Sequence, residues 1–383
     1  MGTRPPLYFS LAMHRDNLSS QELGWLRLHL TPRLGRKALR RLHQVFGSLE
    51  AILADTTPAR LARGGLSPKL ATAIPAEDDP NLAATAAKLA QDGVRLVSLW
   101  DADFPPLLAG IPDPPALLYV RGHWPPAPGL AVVGARRAGA ESRQMVREIA
   151  RDLAGHGVCI ISGLARGIDT AAHLGALDAG GATVAVLGCG IDRIYPPENR
   201  KLFHQIATQG TLISEYAPGT PPLAGNFPGR NRIVSGLALG VLVAEAAVGS
   251  GSLITADFAL EQGREVFALP GAPYGASCTG SNTLLKEGAH LVTEARDILD
   301  LLWSDLARSA LGAPAAAPAP LPELSKEALQ VLEPMDTNAL HIDEIVRKSG
   351  LTPMEVSAIL LHLELQGGVR QLPGMHYQRI RPG

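Results

Sequence analysis

Apolar runs rich in Val, Ile and Leu alternate with helical patterns between residues 93 and 293, and this alternation limits the possible folds more than any other feature. Helical segments follow the runs "GLAVVGA", "VCIISG", "ATVAVLG" and "GVLVAEA". Strands that are apolar along their whole length are buried on both faces, which requires helices on both sides of a parallel sheet. The fold class predicted is therefore α/β, with an extended, Rossmann-like, doubly wound and mostly parallel sheet.

Two further regions flank the predicted sheet. Residues 1–80 contain several short helical patterns separated by glycines, which indicate a small all-α domain of the sterile-alpha-motif or helix-hairpin-helix kind. The Rossmann-like region is predicted for residues 81–311, and "DADFPPLLAGIPDPPALLYVRG" is interpreted as a proline-rich passage near its start. Residues 312–322 form an Ala/Pro linker. Residues 323–383 show three helical patterns and a two-stranded wing, which together predict a winged helix.

The net charge of the whole chain does not indicate a nucleic-acid partner. The 383-residue chain has a formal net charge of -1, so any polyanion site must be a local patch. One local concentration of positive charge lies in the N-terminal helical patterns and comprises Arg33, Arg36, Lys37, Arg40 and Arg41. Two interpretations of these residues remain open, a solvated helix surface and a contact with DNA.

The cysteines and the hydropathy narrow the cellular setting. Cys159, Cys189 and Cys278 have no C-x-x-C spacing, so neither a disulfide framework nor a zinc site is expected, and the first two are interpreted as buried thiols. No stretch is apolar for long enough to predict a signal peptide or a membrane span. We therefore expect a cytoplasmic protein with no membrane partner.

Glycine-rich and basic segments follow the predicted strands. They read "GARRAG", "SGLARG", "PGRNR" and "AAVGSGS". Ligands of open parallel sheets bind beyond the carboxyl ends of the strands, where glycine-rich turns, helix N-termini and arginines favour phosphate. The sequence thus predicts a polyanion site at this edge. The candidate phosphate-binding residues are Arg136, Ser162, Gly163, Arg166, Gly167, Arg230, Asn231, Arg232, Gly249, Ser250, Gly251 and Ser252.

The motifs of common nucleotide sites are absent from the sequence. A dinucleotide site needs G-x-G-x-x-G and a later acidic residue, and a phosphate-loop NTPase needs G-x-x-x-x-G-K-[ST]; neither occurs, and no cofactor is expected. A nucleotide or nucleoside-phosphate hydrolase that uses Glu245 or Asp169 remains the alternative, although its "PGG-x-GT" loop is missing. Asp169, Asp192, Glu215 and Glu245 lie near strand ends but define no acid/base pair, and we interpret them as partners of arginines or of backbone donors.

Several long motifs occur in order over roughly residues 90–300. They include "SGLARGIDTAAH", "TVAVLGCGIDRIYPPEN", "FPGRNRIVSGLA" and "VLVAEAAVGSGSLITADFALEQGREVFALPG", and they resemble the DNA-processing protein A family (DprA, also called Smf). The resemblance implies a non-enzymatic recombination mediator that binds single-stranded DNA, protects incoming DNA in natural transformation and helps load the RecA recombinase. It also implies a homodimer formed through the Rossmann-like region.

The resemblance assigns roles to individual residues. In that family the arginine of the S/T-G-x-A-R-G-I-D motif contacts a DNA phosphate, and this position is Arg166 here. Arg136 is the counterpart of the arginine near the first parallel strand, with Ala135 where the family has a hydroxyl residue. The F-P-x-R-N-R segment places Arg230, Asn231 and Arg232 beside them.

The predicted recognition helix of the winged helix is unusual for a DNA reader. Its segment "TPMEVSAILLHLELQGG" contains no Lys or Arg and includes Glu355 and Glu364. A helix that enters a major groove normally supplies positive charge and base-reading side chains. The pattern therefore favours protein–protein contact or self-association over DNA reading for this domain.

Overall fold

The computed structural model of the chain describes residues 17–122, 129–304, 326–335, 340–365, 369–372 and 375–379. The chain divides into two compact units, Met1–Ala310 and Leu311–Gly383. The predicted linker, residues 312–322, lies outside the described residues. The predicted boundary between the helical domain and the Rossmann-like region falls inside the first unit, and the domain limits stay a prediction.

Short helices occupy the N-terminal part of the first unit. They are α1 (Ser20–His29), α2 (Arg36–Phe46), α3 (Leu49–Leu53), α4 (Pro58–Leu61), α5 (Pro68–Ala71) and α6 (Pro80–Gln91). Ser19 and Glu22 form a capping box at the start of α1, and Gly47 ends α2 with a positive φ of 85°. The helices share a hydrophobic core with the sheet, since Trp25 and Leu39 belong to the same buried cluster as Leu96.

Nine strands of the described residues form one sheet, in the order β1-β2-β6-β5-β4-β3-β7-β8-β9. The strands are β1 (Val94–Ser98), β2 (Leu117–Gly122), β3 (Gly129–Gly134), β4 (Ile160–Ser162), β5 (Thr183–Leu187), β6 (Thr211–Ser214), β7 (Ala238–Ala244), β8 (Glu265–Ala268) and β9 (His290–Leu291). In this order, all neighbouring strands from β6 to β9 pair in parallel. The strand β2 pairs antiparallel with both β1 and β6. The interpretation of the proline-rich segment as a passage is therefore wrong for its last six residues, which form β2.

Helices cover both faces of the sheet, which confirms the doubly wound prediction. They are α7 (Pro106–Ala109), α8 (Ala140–Gly155), α9 (Ile168–Asp178), α10 (Arg200–Gln209), α11 (Asn226–Gly236), α12 (Gly251–Glu261), α13 (Thr279–Lys286) and α14 (Ala295–Leu302). Alternate residues of β3 point to opposite faces. Val132 packs in one buried cluster with Ile149 of α8, whereas Val133 packs in another with Ile233 of α11.

The strand order reverses at β3. The chain runs from β3 through β4 and β5 to β6 on one side, and then returns to place β7 on the other side of β3. In open α/β sheets the crevice outside the carboxyl ends of the strands at such a reversal is the usual ligand site. The ends of β3, β4, β5 and β7 therefore mark where a site is expected.

The second unit has the predicted winged-helix architecture. Its elements are α15 (Lys326–Leu332), β10 (Leu340–His341), α16 (Ile342–Ser349), α17 (Pro353–Leu365), β11 (Val369–Leu372) and β12 (His376–Arg379). The strands pair in the order β10-β12-β11, so the wing gains a short strand that the sequence did not predict. Val331, Ile345 and Leu360 from the three helices form its core. In either unit, no helix of the described residues is long and apolar enough to cross a membrane.

Candidate functional site

A cavity of about 420 Å³ opens at the carboxyl ends of the strands, beside the reversal in strand order. A narrower pocket adjoins it and shares Arg136, Ala165, Tyr195, Phe227 and Arg230 with it. The two together are called the strand-end cavity. The predicted site residues that line it are Arg136, Gly163, Arg166, Arg230, Asn231, Ser250, Gly251 and Ser252.

Two arginines at the strand-end cavity are exposed. The Arg136 guanidinium lies 5.5 Å from the ring centroid of Phe227, a cation–π arrangement. Arg166 Nη1 lies 3.4 Å from Glu198 Oε1, and both side chains are more than half exposed. An exposed ion pair of this kind contributes about 0–1 kcal/mol. Arg166 can therefore turn from Glu198 to a bound anion at little energetic cost.

Arg230 is a buried cation that lines the strand-end cavity. Its exposed fraction is 4%, one guanidinium nitrogen donates to the carbonyl of Val186, and its Nε has no hydrogen-bond partner among the described residues. Burial lowers the pKa of Arg230, and the charge of Asp169 opposes that effect. Arginine stays protonated in proteins, and no salt bridge to Arg230 occurs in the described part of the chain. A buried cation without a paired carboxylate favours an anionic ligand.

Asp169 shapes the turn after β4. Its Oδ2 accepts hydrogen bonds from the backbone N–H groups of Gly163 at 3.0 Å and Ala165 at 3.2 Å. Burial raises the pKa of Asp169, while the charge of Arg230 and these two amide hydrogen bonds oppose that effect. The interpretation of Asp169 as a partner of backbone donors is confirmed.

The N-terminus of α12 forms the opposite wall. Ser250 caps this helix by accepting from the N–H of Ser252, and their hydroxyl oxygens lie 2.7 Å apart. Asn231 Nδ2 donates to the carbonyl of Gly251 at 3.1 Å, which ties α11 to the start of α12. A helix N-terminus carries partial positive charge, so this wall adds to the anion-attracting character of the arginines.

Three predicted site residues support the loops without lining the strand-end cavity. Ser162 is fully buried and donates to the carbonyl of Val132 at 2.6 Å. Gly167 has φ of 76°, and a Cβ there would lie 2.2 Å from the carbonyl oxygen of Ala135, so the close approach of the two loops requires glycine. Gly249 has φ of 77° in the exposed turn before α12.

Arg232 faces away from the strand-end cavity. Its Nη2 donates to Glu215 Oε1 at 2.6 Å, its Nε to the carbonyl of Asp113 at 2.8 Å, and its Nη1 to the carbonyl of Gly229 at 2.6 Å. Two residues along an α-helix differ by about 200° in direction. Arg230 and Arg232 therefore point to opposite sides of α11, and we leave Arg232 out of the proposed binding residues.

Sequence reasoning missed two aromatic residues in the strand-end cavity. Tyr195 and Phe227 line it, and their rings lie 5.5 Å apart at an angle of 38°. The signal was an aromatic side chain inside two arginine-containing strand-end segments, "DRIYPPEN" and "GNFPGRNR". Aromatic faces beside cationic groups are the usual platform on which the bases of single strands stack.

Glu245, a carboxylate considered for hydrolysis, is engaged by the backbone. Its Oε2 accepts from the N–H of Gly139 at 2.8 Å, just before α8, and its own backbone has a positive φ of 50°. Its carbonyl also accepts from Ala135. Glu245 thus joins the ends of β3 and β7 as a partner of backbone donors, as predicted.

Comparisons with known proteins agree with this geometry. The sequence model of the family described as DNA recombination-mediator protein A matches residues 95–303, and that of the DprA winged helix domain matches residues 315–375. The chain is 38% identical over 312 residues to protein Smf of Synechocystis, covering 73% of this chain and 78% of that protein. It is 41% identical over 304 residues to protein Smf of Escherichia coli, covering 76% and 79%.

Two solved structures are similar along much of the chain. The X-ray structure of DNA processing protein A from Streptococcus pneumoniae has a TM-score of 0.64 and 34% identity, covering 74% of this chain and 98% of that one. A structure of DNA processing protein A from Helicobacter pylori has a TM-score of 0.51 and 31% identity, covering 55% and 96%. The Helicobacter structure is described as giving insights into a unique single-stranded DNA binding mode.

Proposed function

Because the chain belongs to the DNA recombination-mediator protein A family, we propose that its strand-end cavity binds the sugar–phosphate backbone of single-stranded DNA. The family is one of DNA recombination mediators. The observation that carries the proposal is the buried Arg230, which forms no salt bridge among the described residues and lines the same cavity as the exposed Arg136 and Arg166. Phosphates placed among these three cations would form charge-assisted hydrogen bonds with them.

The arrangement suits a single strand better than a duplex. The cavity combines cations for the backbone with the aromatic faces of Tyr195 and Phe227, on which unpaired bases stack without regard to sequence. Base pairs of a duplex keep their faces stacked on each other and offer them to no side chain. We therefore expect binding that prefers single strands and reads little sequence.

The proposed function is binding without catalysis. The alternative, a nucleotide or nucleoside-phosphate hydrolase, would need Glu245 or Asp169 as an acid or base. Each of these carboxylates instead accepts backbone N–H groups that hold the strand-end loops in place. This engagement supports the binding function, and a nucleotide-hydrolysis assay on the purified chain distinguishes the two.

Assembly and partners are proposed from the family together with features of the surface. The homodimer is supported by Leu291 on the edge strand β9, an apolar side chain that is 56% exposed. Loading of RecA, protection of incoming DNA in natural transformation and a cytoplasmic location rest on the family alone.

We propose that the winged helix contacts protein. Met354 and Leu361 on α17 are 83% and 59% exposed, and the helix carries no Lys or Arg. Exposed apolar side chains on a helix without positive charge fit a protein surface better than a phosphate backbone.

The salt dependence of DNA binding tests the proposed site. Arg166→Ala should weaken binding of an oligothymidylate about tenfold or more and flatten the plot of log affinity against log salt by about 0.7, as expected for one lost single-strand phosphate contact. Arg296→Ala is the matched control, since Arg296 forms a comparably exposed pair with Asp300 at 3.3 Å. An Arg166→Ala protein with wild-type affinity and slope would remove this residue from the interface.

A further inference from the structure

The N-terminal helices carry an excess of positive charge, although the net charge of the whole chain is close to zero. Residues 24–73 contain nine Lys or Arg side chains and two acidic ones, Glu50 and Asp55, whereas the whole chain has 35 Lys or Arg and 36 Asp or Glu. A strong local excess of one sign indicates a surface for a partner of the opposite sign. None of these residues lines the strand-end cavity.

Helix α2 carries two separate rows of these cations. In the inner row, Arg36 Nη2 and Arg40 Nη1 lie 2.6 Å and 3.2 Å from the carboxylate of Asp113. Arg232 Nε on α11 lies 3.6 Å from the same carboxylate. Burial acts to raise the pKa of Asp113, but the Arg36 hydrogen bond and the nearby arginine charges outweigh it and hold the pKa below its usual range. The inner row therefore anchors α2 to the rest of the unit.

The outer row points to solvent. Lys37 and Arg41 are four residues apart, so they lie on one face of α2, turned by about 100° from the inner row. Both are exposed. The Arg41 guanidinium lies against Gly65, where a Cβ would be 2.8 Å from Cζ. The exposed Arg63 precedes this glycine by two residues. Lys37, Arg41 and Arg63 together are called the outer basic surface.

The outer basic surface differs from a pair of arginines on α8. Arg147 and Arg151 on α8 have the same spacing, but they pair with Asp178 at 2.5 Å and Asp152 at 3.1 Å. Within the described residues, Lys37, Arg41 and Arg63 form no salt bridge. Like charges four residues apart destabilise a helix. The repulsion between Lys37 and Arg41 destabilises α2 slightly, and the inner row fixes the helix with these two side chains toward solvent. The outer basic surface is therefore available to bind phosphates.

We propose that the outer basic surface binds the phosphate backbone of single-stranded DNA at a point outside the strand-end cavity, so that a long strand contacts both places. This inference rests on the proposed function. A strand too short to leave the cavity does not reach the outer basic surface. Contributions of Lys37 and Arg41 to binding therefore depend on the length of the strand, whereas that of Arg166 does not.

The test compares the double variant Lys37→Gln, Arg41→Gln with the wild-type full chain on oligothymidylates of about 4 and about 30 nucleotides, which bracket common single-strand site sizes. With the long strand the salt slope should flatten by about 0.7 for each lost contact. With the short strand it should be unchanged. Gln forms helices well and both positions are exposed, so the variant should fold.

The control variant is Arg147→Gln, Arg151→Gln, which removes the same charge at the same spacing. A wild-type slope of the Lys37/Arg41 variant on the long strand, or an equal loss in the control, overturns the inference; a surface for an acidic protein would give the first result. The two proposals fail separately. If the wild type does not bind the short strand, the cavity proposal fails, and the slope on the long strand still decides the role of the outer basic surface.

Discussion

The buried guanidinium of Arg230 lies so close to Gly163 that a Cβ built on this glycine would be 2.3 Å from Nη1. Arg230 has little freedom to move aside, because it is 4% exposed and donates to the carbonyl of Val186. The absence of a side chain after β4 therefore determines where the cation can lie.

Gly163→Ala should displace Arg230 and weaken single-strand binding. The expected loss is about tenfold or more, the effect of disturbing one charge-assisted hydrogen bond. Binding to a labelled oligothymidylate measures it. Gly155→Ala is the control, because a Cβ at this exposed glycine of α8 meets nothing within 4 Å. Equal affinities of the two variants would contradict the role assigned to the contact between Gly163 and Arg230.

Phe227→Leu should weaken single-strand binding by removing a stacked base, without changing the charge of the strand-end cavity. Loss of one stacked base costs about 1–3 kcal/mol, or about 5- to 150-fold in affinity. The salt slope should not change, since no cation is removed. An abasic strand of the same length has no base to stack, so the wild type and the variant should bind it equally. A similar loss on the abasic strand would show that Phe227 acts through Arg136 and the backbone instead.

Glu215→Gln should destabilise the fold. Arg232 and Glu215 are a buried pair, with side chains 5% and 9% exposed. Removing the Glu215 charge leaves Arg232 with only the Asp113 carboxylate, 3.6 Å from its Nε, and costs up to about 3 kcal/mol. Chemical denaturation measures the free energy of unfolding. Asp300→Asn breaks an exposed pair with Arg296 and should cost less than about 1 kcal/mol. Equal effects of the two substitutions would contradict the structural role of Arg232.

The free energy of unfolding should fall as the pH is lowered, because two buried histidines stay neutral in the folded state. Burial lowers the pKa of His29 to about 4. Burial, and secondarily the charge of Arg230, lowers that of His173 to about 3. An unfolded histidine titrates near about 6.5. Below that pH the unfolded chain binds more protons than the folded one, so stability is lost by up to about 1.4 kcal/mol per pH unit for each histidine.

Replacement of His173 tests whether this histidine causes part of the loss of stability at low pH. Denaturation of the wild type and of His173→Gln at several values between about pH 7 and about pH 5 gives the dependence of the unfolding free energy on pH. The variant should show a shallower dependence, whatever its stability at neutral pH. An unchanged dependence would mean that His173 binds no additional proton when the chain unfolds.

The sheet could be predicted from the sequence because its parallel strands are apolar on both faces, as Val132 and Val133 show. The strand β2 was missed because its apolar run follows a proline-rich segment, and the next described element is the strand β3 and not a helix. It lies antiparallel at the edge of the parallel set, where the strand–helix rhythm does not apply.

The candidate site was predicted less completely, because helical phase and side-chain direction depend on where an element begins. The segment around Arg232 was predicted to be helical, but α11 begins at Asn226, so Arg230 is helical too and the two arginines point apart. Ser162 shows the same limit, since its position at a strand end is correct but its hydroxyl bonds inward to Val132. Phe227 was missed because the features that indicate a phosphate site in a sequence are cations and glycines, and an aromatic ring is not one of them.

Competition between single and double strands shows directly whether the strand-end cavity binds unpaired DNA. A labelled oligonucleotide bound to the full chain is displaced with the same unlabelled strand, or with its blunt duplex of equal length, at one salt concentration. If the cavity binds unpaired DNA, the single strand displaces the label at a lower concentration, and this preference is smaller in Phe227→Leu. A duplex that competes as well as the single strand, or better, would contradict this expectation.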